Sequence, residues 1–192
     1  MIKLGVLISG RGSNLEAILD ASERKEIPAE VAVVISDRAD AFGLERARKH
    51  NIPTAVINSN ELEIVKVLKK YKVDLVCLAG YMKIVGKALL EAYQGKMINI
   101  HPALLPSFPG LHSQRQALEH GVKVSGVTVH FVDAGCDTGP IIFQRAVPVF
   151  ENDTEETLSE RILTEEHKAY PEAIRLFATG KLKLEGRRVK IT

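Results

Sequence analysis

Along this chain, short apolar runs rich in β-branched residues alternate with longer stretches whose apolar positions recur every three or four residues. Ile2 to Ile8 predicts a strand, and Ser13 to Ala21 a helix with Leu15, Ile18 and Leu19 on one face. A strand at Val31 to Ser36, a helix at Ala41 to His50 and a short strand at Thr54 to Ile57 follow. Glu61 to Lys70 has helical spacing through Leu62, Val65 and Leu68, and Val73 to Ala79 is a nearly all-apolar strand. Runs this apolar suit strands buried on both faces, and a βαβα order argues for a parallel sheet with helices on both sides and right-handed crossovers. The expected class is α/β, with a Rossmann-like unit in the first half.

After residue 96 the pattern changes. Met97 to Ile100 is a very short strand that runs into His101-Pro102-Ala103-Leu104-Leu105-Pro106-Ser107-Phe108-Pro109-Gly110. Three prolines and a glycine there demand an irregular loop. A helix is expected at Ser113 to Glu119, and strands at Lys123 to Val132 and Ile141 to Phe150. A long helix is expected from Thr154 to Ala178, capped by Asp153 or Thr154 and interrupted or kinked at Pro171. Lys181 to Ile191 alternates around Glu185-Gly186 like a small hairpin. The central sheet is therefore expected to be mostly parallel, with extra strands and a long helix in the C-terminal half.

The 192 residues contain no linker, repeat or low-complexity segment, which suits one domain over 1–192, its two halves meeting near residue 95. A net charge of +2 sets up no field that favours nucleic acid. No apolar run is long enough to span a bilayer, so no membrane partner is expected. The N-terminal apolar stretch ends in Ser9-Gly10-Arg11-Gly12 without a small-residue cleavage site, and reads as a buried strand rather than a secretory signal. Cys77 and Cys136 stand far apart and in no pair motif, as expected of a cytoplasmic protein.

Three groups of residues carry candidate chemistry. Directly after the first strand, Ser9-Gly10-Arg11-Gly12-Ser13-Asn14 can turn tightly and aim backbone N–H groups from a helix start at an anion. No Lys follows the glycines as in a Walker loop, and Leu15 stands where a dinucleotide fingerprint has its third glycine. A simple strand-to-helix turn accounts for the same residues. In the second group, Asn99 and His101 lie two apart in a strand and so project to one side. An amide can donate to a developing oxyanion and an imidazole exchanges protons near neutral pH; ordinary bonding to nearby backbone is the alternative. The third is the glycine-rich loop with Asp133 and Asp137. A carboxylate beside His101 would favour the protonated ring, while a solvated turn is the bland reading. His112, His120 and His130 are singly more often structural or surface residues than ligands, and no spacing supports a metal site.

Together, VLISGRGSNLEAI, SDRADAFGLERAR, LAGYMKIV, INIHPALLPSFPGLHSQRQAL, GVTVHFVDAGCDTGPII and EEHKAYP resemble the folate-dependent formyltransferases over nearly the whole chain. The G-x-G-S-N opening is most like the branch that formylates glycinamide ribonucleotide. The resemblance implies transfer of a formyl group from 10-formyltetrahydrofolate to the amine of 5-phospho-ribosylglycinamide in purine synthesis, without a metal, by a monomer or weak homodimer. It implies that Gly12, Ser13 and Asn14 bind the phosphate, that Gly80 allows close approach of substrate, and that Glu166 contacts the glycinamide end. Met82, Lys83, Ile84 and Val85 would line the folate pocket. Asp133, Ala134, Gly135, Cys136 and Asp137 would wrap the pterin, with Asn99 also touching folate. Asn99, His101 and Asp137 would be catalytic, protonated His101 and Asn99 stabilising the tetrahedral oxyanion. The chain departs from the resemblance in two places: Glu61-Leu62-Glu63-Ile64 offers no Arg to folate, and Leu163 stands where some relatives have a polar substrate contact. Formyltetrahydrofolate hydrolysis is the enzymatic alternative. Such hydrolases usually carry an extra N-terminal domain, so a catalytic unit that begins at Met1 favours transfer.

Overall fold

Strand β1 (Ile2–Ile8) sends alternate side chains into two apolar layers, Leu4, Val6 and Ile8 into one and Leu7 into the other. β4 (Leu75–Leu78) does the same, with Leu75 and Cys77 on the first side and Val76 and Leu78 on the second. Burial on both faces is why these strands read as continuous hydrophobic runs. β2 (Ala29–Ser36) and β3 (Thr54–Val56) extend the sheet on one side of β1. β5 (Met97–His101) follows β4 on the other, and all five strands are parallel. Helices α1 (Ser13–Glu23) and α2 (Phe42–Lys49) cover the first layer, and α3 (Glu61–Lys70) and α4 (Lys87–Ala92) the second.

Beyond β5 the sheet reverses. β6 (Val124–Phe131) and β7 (Ile141–Pro148) are antiparallel, which completes the order β3-β2-β1-β4-β5-β6-β7. The short helix α5 (Ser113–Glu119) precedes β6, and a hairpin of β8 (Leu182–Glu185) and β9 (Arg188–Ile191) ends the chain. α6 (Glu155–Ala178) opens with a capping box between Thr154 and Thr157 and packs Leu158, Ile162, Ala173 and Ile174 onto the first layer. Its Tyr170 is fully buried, with the hydroxyl 2.8 Å from the Leu78 carbonyl and 3.1 Å from that of Ile98. That contact ties the helix to the ends of β4 and β5.

This computed structural model describes all 192 residues. The expected α/β class with a mostly parallel sheet is present, and each expected element occurs with ends within two residues. Two points differ. α4 was not anticipated, because its six residues bury only Leu89 and offer no apolar period. Pro171, expected to interrupt or kink α6, lies inside a continuous helix. Proline removes one N–H from the ladder, and Pro171 lines an open groove between α1 and α6 where water can reach the freed carbonyl.

For function the useful feature is the rim formed by the C-terminal ends of β1, β4 and β5. Neighbouring strands lie about 4.8 Å apart, so the loop after β1 and the end of β5 stand roughly 10 Å from each other, across β4. Ligands of α/β sheets bind along such a rim.

Candidate active site

The loop after β1 begins with two ties to the loop after β4. The Ser9 N–H donates to the Gly80 carbonyl at 3.0 Å, and Ser9 Oγ accepts the Met82 N–H at 2.9 Å. Gly12 then turns the chain into α1 with φ 70, a left-handed conformation natural to glycine. A Cβ on Gly12 would lie 2.7 Å from the Gly43 Cα, so close approach of α2 also requires glycine here. The result is a cavity of about 220 Å³ lined by residues 9–14, Ala79, Gly80 and Met82, with the first turn of α1 facing it. Gly12, the N-cap, has no side chain to cap that turn.

Asn14 and Glu166 meet in this region from opposite ends of the chain. Asn14 Nδ2 donates to Glu166 Oε2 at 3.1 Å, and both residues are buried. Burial pushes the Glu166 carboxyl above its ordinary value, and the Asn14 bond only partly offsets that. Asn14 Oδ1 is buried without a hydrogen-bond partner. A polar pair left incomplete beside a cavity is poised for a ligand that supplies donors.

At the end of β5, Asn99 and His101 both reach Asp137, which arrives on the loop between β6 and β7. His101 Nδ1 is 3.3 Å from Asp137 Oδ2, and Asn99 Nδ2 donates to Asp137 Oδ1 at 3.3 Å. The Gly110 N–H also donates to Asp137 Oδ2, at 2.8 Å. His101 Nε2 donates to the Phe108 carbonyl at 2.8 Å, so the loop after β5 grips both His101 and Asp137. Burial opposes ionisation of Asp137, but the Gly110 N–H and His101 hold the carboxyl below its usual range; His130 Nε2, 3.7 Å away, is too far for a hydrogen bond to it. Burial pushes the His101 imidazole below its ordinary value, and Asp137 and the Phe108 carbonyl recover only part of that. Both ring nitrogens face acceptors, Nδ1 the Asp137 carboxylate and Nε2 the Phe108 carbonyl, an arrangement that suits the protonated ring. Phe108, His112 and Asp137 all have left-handed backbone, with φ of 56, 58 and 54. Non-glycine residues held this way cost on the order of 1–3 kcal/mol each and cluster at functional sites.

The remaining expected residues are distributed as follows. Met82 and Ile84 are 63% and 84% exposed, and Lys83 is exposed beside them. Large apolar side chains left in water next to a polar rim suit a flat apolar ligand. Val85 instead turns inward and packs in the second core layer. Gly80 has φ 73 and open space where a Cβ would stand. Asp133 is half-buried and accepts from the Gly135 N–H and the Thr138 hydroxyl, so it shapes the loop. Ala134, Gly135 and Cys136 are exposed at its tip. Glu61 accepts the Gly86 N–H at the start of α4. Leu163 is half-buried on α6. His130 is the residue that sequence reasoning passed over. It is buried, with Nε2 3.3 Å from Asn99 Nδ2 and 3.7 Å from Asp137 Oδ1. Only the β5–β6 register, which sets Asn99 opposite His130, reveals it.

A larger groove of about 620 Å³ runs between α1 and α6. It holds the carboxylates of Glu16 and Asp20, which, with His50, come within 4.8 Å of one another. Arg46 and Arg24 already pair with these two acids. The candidate chemistry lies at the rim and not in this groove.

Comparison with known proteins identifies relatives of the whole fold. The formyl transferase family profile matches residues 2–174. A phosphoribosylglycinamide formyltransferase from Escherichia coli is 46% identical over 187 residues, which are 93% of this chain and 88% of that protein. A trifunctional purine biosynthetic protein adenosine-3 from Drosophila pseudoobscura pseudoobscura is 48% identical over 94% of this chain. The chain spans only 14% of that longer protein. Among solved structures, glycinamide ribonucleotide transformylase 1 from Symbiobacterium toebii superposes with a TM-score of 0.97 at 59% identity, over 100% of this chain and 94% of that one. A formyltetrahydrofolate deformylase from Pseudomonas syringae shares the fold with a TM-score of 0.93 at 26% identity, and this chain covers 65% of it.

Proposed function

This chain belongs to the formyl transferase family, and from that membership we propose that it moves the formyl group of 10-formyltetrahydrofolate onto the amine of 5-phospho-ribosylglycinamide, giving the N-formyl product and tetrahydrofolate. The observation that carries the proposal is one rim on which a glycine anion cradle, an incomplete Asn14–Glu166 pair and the Asn99, His101 and Asp137 side chains stand within reach of a single small substrate. In this reading Gly12, Ser13 and Asn14 hold the phosphate, Gly80 leaves room for substrate and Glu166 meets the glycinamide end. The segment Met82 to Val85 and the loop Asp133 to Asp137 take the folate, with the exposed Met82 and Ile84 side chains supplying apolar contact.

The mechanism needs no covalent enzyme intermediate. The amine attacks the formyl carbon, the C=O π pair moves onto oxygen, and Asn99 with His101 stabilises that charge. Ionised Asp137 beside His101 favours the protonated ring, whose charge the oxyanion meets as it forms. One proton leaves the attacking nitrogen and one reaches the folate nitrogen as its bond to carbon breaks, so His101 can relay it without net consumption. Asp137 is ionised throughout and fixes the ring that does this. Holding two substrates in line supplies the larger share of the rate.

The hydrolase reading has the same three side chains and differs in the acceptor. The cradle and the Asn14–Glu166 pair favour a phosphorylated amine over water, because hydrolysis has no use for either. The reading also places the enzyme in the cytoplasm, in keeping with two free cysteines and no helix long and apolar enough to cross a membrane, and as a monomer or weak homodimer. The deciding experiment follows formyl-folate loss with and without the ribonucleotide. Loss that requires ribonucleotide and yields equal N-formyl product supports transfer, and equal loss without it means hydrolysis.

A further inference from the structure

His130 is buried among the groups of the candidate site, yet no step above uses it. Strands β5 and β6 pair antiparallel with Asn99 directly opposite His130. Side chains so placed lie on one face about 4.5–5.5 Å apart at Cβ. His130 Nδ1 donates to the Phe131 carbonyl at 2.8 Å. With Nδ1 donating there, Nε2 is left as the ring's acceptor. It faces Asn99 Nδ2 at 3.3 Å. The second Asn99 N–H faces Asp137 Oδ1, also at 3.3 Å. A flipped Asn99 amide would set its oxygen against an imidazole lone pair and a carboxylate oxygen at once. The imidazole thus selects one orientation of the amide, and the amide in turn bonds the carboxylate that orients His101. A purely apolar side chain would fill the same buried volume and impose no such choice.

We infer that His130 is a positioning residue for the formyl transfer, fixing the Asn99 carboxamide, and through it the Asp137 carboxylate, without touching either substrate. The inference rests on the function proposed above. The titratable groups that face Asp137 are His101 from β5, His130 from β6 and Cys136 in its own loop, whose Sγ donates to Asp137 Oδ2 at 3.6 Å.

The test compares H130L, which removes the acceptor, with H130Q, whose amide oxygen can replace it. We expect H130L to lose at least about tenfold in kcat, with both KM values within about twofold, since small misplacement of reacting groups costs rate rather than binding. H130Q should recover most of that loss at similar thermal stability. A kcat for H130L within about twofold of wild type, or equal loss in both variants, overturns the inference. A second measurement needs no variant and no substrate. Side-chain 15N NMR of the wild-type protein should put the His130 proton on Nδ1 and show an Asn99 amide protected from exchange. A proton on Nε2, or a freely exchanging Asn99 amide, overturns the inference even if formyl transfer is confirmed. Failure of the transfer assay with the expected NMR result would instead count against the proposed function.

Discussion

The glycine cradle after β1 and the polar cluster at the end of β5 lie on the same rim but are built by opposite means. The cradle is made of backbone: a left-handed glycine, a helix start and two hydrogen bonds to the loop after β4. Few side chains join it, chiefly Ser9 Oγ on the Met82 N–H and Asn14 against Glu166. The cluster is made of side chains, and backbone serves it by gripping them, through the Phe108 carbonyl on His101 and the Gly110 N–H on Asp137. Backbone that must hold groups in this way is itself held at unusual angles, as at Phe108, His112 and Asp137. The difference separates binding from chemistry. Damage to the cradle should appear in affinity for the ribonucleotide, and damage to the cluster in turnover.

The largest effects belong to the cluster. His101→Ala and Asp137→Ala should each keep the fold and lose about hundredfold or more in kcat, the scale of removing one preorganised oxyanion contact. Rapid-quench turnover checks this, and near wild-type rates in either variant would break the division between the two regions. Next comes Gly12→Ala. The new Cβ would meet the Gly43 backbone at 2.7 Å in a conformation with φ 70. The expected cost is about 1–3 kcal/mol of stability with weakened ribonucleotide binding, read by denaturant melts and calorimetry. Asn14→Ala should follow, raising the ribonucleotide Kd by about tenfold, the worth of one good polar contact. Folate Kd should not move; equal changes in both would relocate the phosphate site.

The same contrast explains what could be read before any coordinates. The parallel half follows from local pattern: Ile2–Ile8 and Glu61–Lys70 coincide with the expected strand and helix, because an element buried on one or both faces carries its own period. Asn99 and His101 were legible as a pair for the same reason, being two apart on one strand. The cluster's other members depend on distant pairings. Asp133 and Asp137 were legible as candidates in their glycine-rich loop, and the resemblance of motif singled out Asp137. His130 was missed because antiparallel register decides which residue stands opposite Asn99, and alternation in β6 is the same in either register. Val85 packs in the second core layer while Met82 to Ile84 are exposed, a division that an apolar segment without periodicity does not announce. Neither the six-residue α4 nor the passage of α6 through Pro171 has a local signal strong enough to read.

Glu166→Gln gives the smallest effect and the sharpest test of the comparison, because it should raise stability and lower function together. Glu166 is 7% exposed, and its one charge-relevant hydrogen bond comes from Asn14 at 3.1 Å. Burial raises its folded pKa above the unfolded value of 4.5. A carboxyl shifted upward stabilises the fold fully below the unfolded pKa, and that contribution is lost as pH rises through the folded value. As pH rises the wild-type protein comes to carry a buried carboxylate, which Gln would replace with a neutral group of the same shape, still accepting from Asn14 Nδ2. Melting at pH 8 should rise by about 2–4 °C per kcal/mol relieved, and the gain should vanish near pH 4, where wild-type Glu166 is already protonated. The charge is nevertheless what a cationic or amide N–H donor on the substrate would meet, so KM for the ribonucleotide should increase while KM for formyl-folate stays constant. A variant no more stable at pH 8 would mean that Glu166 is already compensated in the free protein, and the cradle would then be a finished structure rather than one completed by its ligand.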